Sequence, residues 1–203
     1  DNDGKIIGMI FDGDFNTGAY ASWGPTVATR VPIHASGPYY TPNYKALGNA
    51  LHSNGPISGA FRGFGVPQVA ALQETLYDQL ADICNIDQLE FRKINALQDG
   101  QKTVCGQQLH GVGILECLDA LSERWKVGLQ NIENFNKSSD VIKKGIGLGS
   151  CWYGCGNTAL PNPSTIKVGI DNIGKLYLHQ GATDIGQGSN TVITQICADA
   201  LGV

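Results

Sequence analysis

The sequence predicts an α+β fold in which mixed sheets pack against helices. Two apolar runs follow turn-rich segments, one within residues 1–20 and one within 171–186. Four stretches carry apolar residues at helical spacing, and three of them follow one another between residues 67 and 126. The resulting order is strand, loop, three helices, strands, helix, which lacks the regular alternation of a βαβ chain.

"DNDGKIIGMIFDGDFNTGAY" (1–20) opens on turn residues and continues into a β-branched run, a strand entered from a hairpin turn. "PQVAALQETLYDQLADIC" (67–84) places Val69, Leu72, Leu76, Leu80 and Ile83 on one helical stripe, with Pro67 suited to the first turn. "NIDQLEFRKINAL" (85–97) is a shorter helix for which Asp87 is the N-cap. "GILECLDALSERWK" (113–126) is a third, with Ile114, Leu115, Leu118, Leu121 and Trp125 as its apolar face. "NIENFNKSSDVIKK" (131–144) is the most polar stretch and is expected to be a surface loop, with two subdomains meeting near 127–145. "KKGIGLGSCWYGCG" (143–156) and "STIKVGI" (164–170) read as strands. "DNIGKLYLHQGATDIG" (171–186) repeats the turn-then-strand pattern of the N-terminus, as related sheet subdomains or as ordinary hairpins. "SNTVITQICADAL" (189–201) is the fourth helix, capped by Ser189 or Asn190.

The chain has 203 residues, 42% hydrophobic and 16% charged, enough for one large domain or two small ones. A net charge of −4 gives no electrostatic basis for binding nucleic acid or an anionic membrane. No apolar run approaches the ~18 residues of a membrane span. The chain starts at Asp1 and stops at Val203 just after a helix, so it is expected to be a piece of a larger polypeptide or complex. Its cysteines, Cys84, Cys105, Cys117, Cys151, Cys155 and Cys197, are scattered and form no CxxC. They are expected to be reduced, mostly buried thiols, which places the protein in the cytoplasm, and no metal-ligand set is expected.

Two glycine-rich stretches invite chemistry. In "SGAFRGFGVPQ" (58–68), Gly59, Gly63 and Gly65 let the backbone approach a ligand closely. Arg62 offers a rigid fork of donors, Phe64 an apolar face, and the helix at Pro67 points its N-terminal dipole at the loop. The competing reading is a tight loop whose phenylalanines fill the core and whose arginine pairs with a carboxylate. In "GATDIGQGSN" (181–190), Gly186 and Gly188 flank Gln187 at a helix entrance, where free N–H groups bind anions and the amide can read a heterocycle edge. Its alternative is a plain strand-to-helix turn. "GIGLGS" and "GFGVPQ" do not complete a dinucleotide fingerprint. Asp12 and Asp184 have no visible partner, and His34, His52, His110 and His179 read as surface or core histidines.

"YYTPNY", "AFRGFGVPQ", "LEFRKINAL" and "DIGQG", in this order and spread over nearly the whole chain, resemble the molybdopterin-binding large subunit of the molybdenum hydroxylases, the xanthine dehydrogenase and aldehyde oxidoreductase family. The resemblance implies that the chain is part of a larger molybdopterin-binding domain. It implies hydroxylation of an electron-poor carbon, in an aromatic heterocycle such as a purine or in an aldehyde, with oxygen from water. The cofactor implied is molybdopterin with molybdenum, plain or as a dinucleotide. Iron–sulfur and FAD partners would carry the electrons away, alongside the rest of the large subunit or a second molybdopterin-binding chain. By the same resemblance, Arg62 is the catalytic residue and touches the cofactor. Phe61 and Phe64 bind substrate, Phe64 by stacking. Arg30, 32 positions before Arg62, lines the substrate pocket. Ile185, Gly186, Gln187 and Gly188 hold the pterin. The second stacking phenylalanine of some members falls near Gly156, where Trp152 or Tyr153 would have to substitute. The family's catalytic glutamate falls beyond Val203 and its glycine-rich loop under the metal before Asp1, so the chain is not expected to turn over alone. The alternatives are a non-catalytic structural or cofactor-cradling piece, and a nucleotide-binding module with phosphate at Gly186 to Ser189.

Overall fold

Why the first strand is not half of a hairpin becomes clear in the computed structural model, which describes residues 1–154, 156, 161 and 163–203. β1 (Met9–Gly18) runs parallel to β2 (Tyr44–His52), with Met9 opposite Tyr44 and Phe15 opposite Ala50. A parallel pair needs a crossover, and α1 (Gly24–His34) supplies it. Neither α1 nor β2 was expected from the sequence. Pro25 and Pro32 hide the helix, yet Pro25 lies in the first turn, where its missing N–H costs nothing. Gly48 breaks the strand pattern for a steric reason. A Cβ there would stand 2.3 Å from the Ala28 carbonyl oxygen, so α1 lies directly on β2.

α2 (Val66–Cys84) and α3 (Gln88–Asn95) follow. Asp87 caps α3 as expected, accepting the N–H groups of Leu89 at 2.9 Å and Glu90 at 3.2 Å. Its other oxygen accepts the Trp125 indole N–H at 2.9 Å. The expected third helix is two, α4 (Ile114–Ala120) and α5 (Ser122–Ser138), meeting at Leu121. α5 runs through most of the stretch read as a loop. Its polarity marks an exposed helix, with Lys137 paired to Glu133 one turn away. No strand forms among the described residues of 143–156; Cys155 lies outside them.

Three small cores hold these elements. Phe11, Val31, Ala35 and Val69 form one, Tyr39, Tyr77, Ala81 and Phe91 a second, and Leu89, Ala96, Leu118 and Trp125 a third. The inward face of α2 differs from the expected stripe. Leu72, Leu76 and Ile83 are exposed, while Val66, Val69, Gln73, Glu74, Tyr77 and Ala81 are buried. The cause is Arg92, whose side chain is fully buried and meets Glu74 at 2.7 Å and Asp78 at 2.8 Å. Glu74 also accepts from the Tyr39 hydroxyl at 2.9 Å and the Gln73 amide at 3.1 Å.

The chain divides into two compact units, Asp1–Ala159 and Leu160–Val203. This division lies C-terminal of the expected meeting point near 127–145. In the second unit, β3 (Lys167–Ile170) and β4 (Leu176–His179) form an antiparallel hairpin, followed by α6 (Ser189–Leu201). The Asp171 carboxylate closes the hairpin turn on the N–H groups of Ile173 and Lys175, with Gly174 left-handed at φ 85°. The described cysteines are free, but none is buried: Cys84, Cys105 and Cys197 are half-buried, and Cys117 and Cys151 exposed. They line loops and helix flanks rather than the cores. Among the described residues no helix is long and apolar enough to cross a membrane.

Glu74→Leu leaves Arg92 with one of its two carboxylates in a buried site. The expected loss is about 3 kcal/mol of unfolding free energy, read as a lowered urea midpoint. A change within about 0.5 kcal/mol would contradict the network's role.

Candidate functional site

The loop from β2 into α2 is held by backbone that few side chains tolerate. Gly63, Phe64 and Gly65 are all left-handed, at φ 79°, 55° and 83°. For a phenylalanine this is a strained state that the surroundings must enforce. Gly65 packs so closely that a Cβ would meet Val31 Cγ2 at 2.5 Å and Val27 Cγ1 at 2.9 Å. The Val66 N–H closes the turn on the Gly63 carbonyl at 2.9 Å, and the Phe64 ring lies edge-on to Trp23 at 6.3 Å.

This geometry displays the side chains that the sequence singled out. Phe61 is 85% exposed, and Phe64 is half-buried rather than core. Arg62 is exposed and makes no hydrogen bond or ion pair with the described residues. All three border one cavity of about 520 Å³, with Phe11 and Phe15 of β1 and Gln68 and Val69 of α2. Asp12 and Asp14 also border it, Asp14 accepting from the Asn49 amide at 2.9 Å. The cavity thus joins four phenyl rings to a guanidinium that forms no ion pair with the described residues.

Arg30 lies elsewhere. It is buried, does not border that cavity, and donates to the carbonyls of Gly154 and of Gly156, the latter at 3.2 Å. Its guanidinium stands 4.7 Å from the centre of the Tyr153 ring. Trp152 and Tyr153, the candidates for a second stacking ring, pack on His34 at 4.6 Å and 5.4 Å between ring centres.

In the second unit, the loop before α6 satisfies itself. Gly188, left-handed at φ 78°, is the N-cap in place of Ser189 or Asn190. Asp184, read as having no partner, accepts the N–H groups of Gly186 at 2.9 Å, Gly188 at 3.4 Å and Asn190 at 3.3 Å. These bonds, led by those from Gly186 and Asn190, hold its carboxyl below the usual carboxylate range. Gln187 accepts the Ile185 N–H at 2.7 Å and donates to the Thr183 carbonyl at 2.8 Å. Of the N–H groups at Gly186 to Ser189 that a phosphate would use, those of Gly186 and Gly188 therefore already serve Asp184. Among the described residues, the Ser189 hydroxyl is buried without a hydrogen-bond partner.

Phe11, Phe15 and Gln68 were not anticipated as lining residues. The available signal was the strand alternation Phe11, Gly13, Phe15. For Ser189 no signal exists, because an unpartnered buried hydroxyl is visible only in three dimensions.

A molybdopterin cofactor-binding domain model matches residues 1–96, and a second model of the same description matches residues 120–203. The chain belongs to the molybdopterin cofactor-binding domain family. It is 41% identical over 123 residues to the nicotinate dehydrogenase large molybdopterin subunit of Eubacterium barkeri, covering 60% of this chain and 29% of that subunit. It is 30% identical over 207 residues to a putative xanthine dehydrogenase molybdenum-binding subunit of Escherichia coli K12, covering 99% of this chain and 27% of that one. Among solved structures, the aldehyde oxidoreductase of Desulfovibrio desulfuricans superposes with a TM-score of 0.75 at 27% identity, over 88% of this chain and 19% of that one. The chain therefore spans less than a third of the length of the curated relatives it matches.

In this molybdopterin cofactor-binding chain, Gly65→Ala adds a methyl group against Val31 and at a left-handed residue. The expected cost is about 1–3 kcal/mol in unfolding free energy. Unchanged stability would mean that the loop is not held as described.

Proposed function

We propose that the chain is the cofactor-holding and substrate-lining part of a molybdopterin-dependent oxidoreductase that hydroxylates an aromatic N-heterocycle. The observation that carries this reading is the Arg62 guanidinium, unpaired among the described residues, in a cavity lined by Phe11, Phe15, Phe61 and Phe64. Family membership sets the cofactor. The residues present fit such a group: among the described residues the Ser189 hydroxyl beside Gly188 is a buried polar atom without a partner, and Arg62 is an unpaired cation. By the likeness of their motifs, Ile185, Gly186, Gln187 and Gly188 are the residues that would hold the pterin, and Arg62 is one that would touch it. The chemistry the group supplies when bound is two-electron oxidation at a metal.

The chain's own residues bind, orient and stabilise. The phenyl rings offer flat faces to an aromatic substrate, and Phe64, fixed by its backbone, aligns it by stacking. Phe61 covers the ring from the loop's outer side. Arg62 stabilises negative charge developing on an oxygen or ring nitrogen. The locked amide of Gln187 keeps the loop in one shape, so that backbone groups meet the cofactor without reorganisation. Iron–sulfur and flavin partners would accept the electrons, and the free thiols are in keeping with a cytoplasmic setting. An aldehyde substrate remains the second reading, supported by the likeness to the aldehyde oxidoreductase.

The test uses the complete native enzyme and a panel of nicotinate, a purine and an aromatic aldehyde. Arg62→Ala is expected to lower kcat/KM on the heterocycle by at least ~10-fold while cofactor content stays normal. Wild-type kinetics in that variant would overturn the role given to Arg62. Turnover of the aldehyde alone would move the protein to the second reading.

A further inference from the structure

Arg30 and His34 lie one turn apart on α1, on the same face as Val27 and Val31, which border the phenylalanine cavity, but Arg30 and His34 do not border it. Both are buried, and both reach the strap formed by residues 151–154. His34 Nδ1 lies 2.9 Å from the Arg30 carbonyl oxygen, and His34 Nε2 lies 3.0 Å from the Gly154 backbone nitrogen. These partners fix the proton. A carbonyl can only accept, so Nδ1 carries the hydrogen; a backbone N–H can only donate, so Nε2 is bare. The ring packs between Trp152 and Tyr153, and Arg30 takes the carbonyls of Gly154 and Gly156. At Gly154, His34 therefore engages the N–H and Arg30 the C=O of the same residue.

The strap has a consequence beyond itself. Trp152 and Cys151 form one wall of a second cavity, about 470 Å³, whose other walls include Leu97, Ile114 and Cys117. We propose that His34 and Arg30 form a protonation-sensitive clamp that holds the strap, and with it the Trp152 wall of this second cavity, in place. His34 is a positioning residue in this device, and neither residue needs to touch the substrate. The proposal is independent of the reading given to Arg62.

A proton on Nε2 would set two donors against each other at Gly154 and place a second buried cation beside Arg30. The charged or titratable groups facing the ring are the Arg30 guanidinium from α1 and the Tyr153 phenol from the strap; no carboxylate among the described residues contacts it. Burial, above all, holds the imidazole below its ordinary value of 6.5; its bond to the Arg30 carbonyl opposes this, and the Arg30 charge adds to it. With the folded value depressed, the clamp is fully engaged above pH 6.5 and is released as pH falls through the folded value.

Hydrogen exchange of the strap peptide in the native protein tests this, corrected for intrinsic chemistry. Protection is expected to fall at least ~10-fold between about pH 7.5 and about pH 4.5, while peptides of α3 keep theirs. His34→Gln, neutral at every pH, is expected to leave the strap with the same protection at both. Wild-type strap protection that does not change with pH, strap and α3 opening together, or a pH response that survives in His34→Gln would each overturn the proposal. The nitrogen resonances of His34 in wild-type protein give a check that needs no variant. Above pH 6.5 they must show the Nδ1–H tautomer, and the Nε2–H tautomer would equally overturn it.

Discussion

The position of Arg92 decides how the first unit is assembled. A guanidinium without solvent contact must be met by charge and by hydrogen-bond acceptors. Glu74 and Asp78 provide the charge, and the carbonyls of Glu74 and Gln88 take further donors. Both carboxylates come from α2, so α2 must turn its polar side inward. Val69 then meets Phe11 of β1 and Val31 of α1, and Leu72 comes to the edge of the phenylalanine cavity. The loop that carries Arg62 enters α2 through Gly65, pressed against Val27 and Val31. The orientation of the site thus follows from an ion pair on the far half of the same helix.

This constraint also explains what could be read in the sequence and what could not. α2, α3 and α6 were legible because their apolar spacing and their ends agree; Asp87 caps α3 as its position suggests. The buried side of α2 was not. Hydropathy assigns Leu72, Leu76 and Ile83 to the interior, and only the long-range partner Arg92 reverses the choice. α1 was hidden by its prolines, and with it the i, i+4 relation of Arg30 and His34. The polar end of α5 was mistaken for a loop because polarity reports solvent contact, not backbone conformation. The hairpin at Asp171 was legible from its turn residues, while the similar N-terminal run pairs instead with a strand that Gly48 disguises.

The two glycine-rich stretches solve different problems. Around Arg62, left-handed backbone turns the side chains outward and leaves the guanidinium without a partner among the described residues. Around Gln187, Asp184 and the amide itself take the N–H groups of Ile185, Gly186, Gly188 and Asn190, so the loop holds itself together. A motif match alone would not separate a displayed arginine from a self-bonded glutamine. Their geometry keeps the two apart, the first displayed and the second bound within its own loop, in a chain whose family is that of molybdopterin cofactor-binding domains.

The most direct test of the central claim is the molybdenum and pterin content of the natively purified protein, measured together with the intact mass of every chain that accompanies it. The account predicts about one molybdenum and one pterin for each copy of this sequence. Folded native protein that carries neither would contradict it.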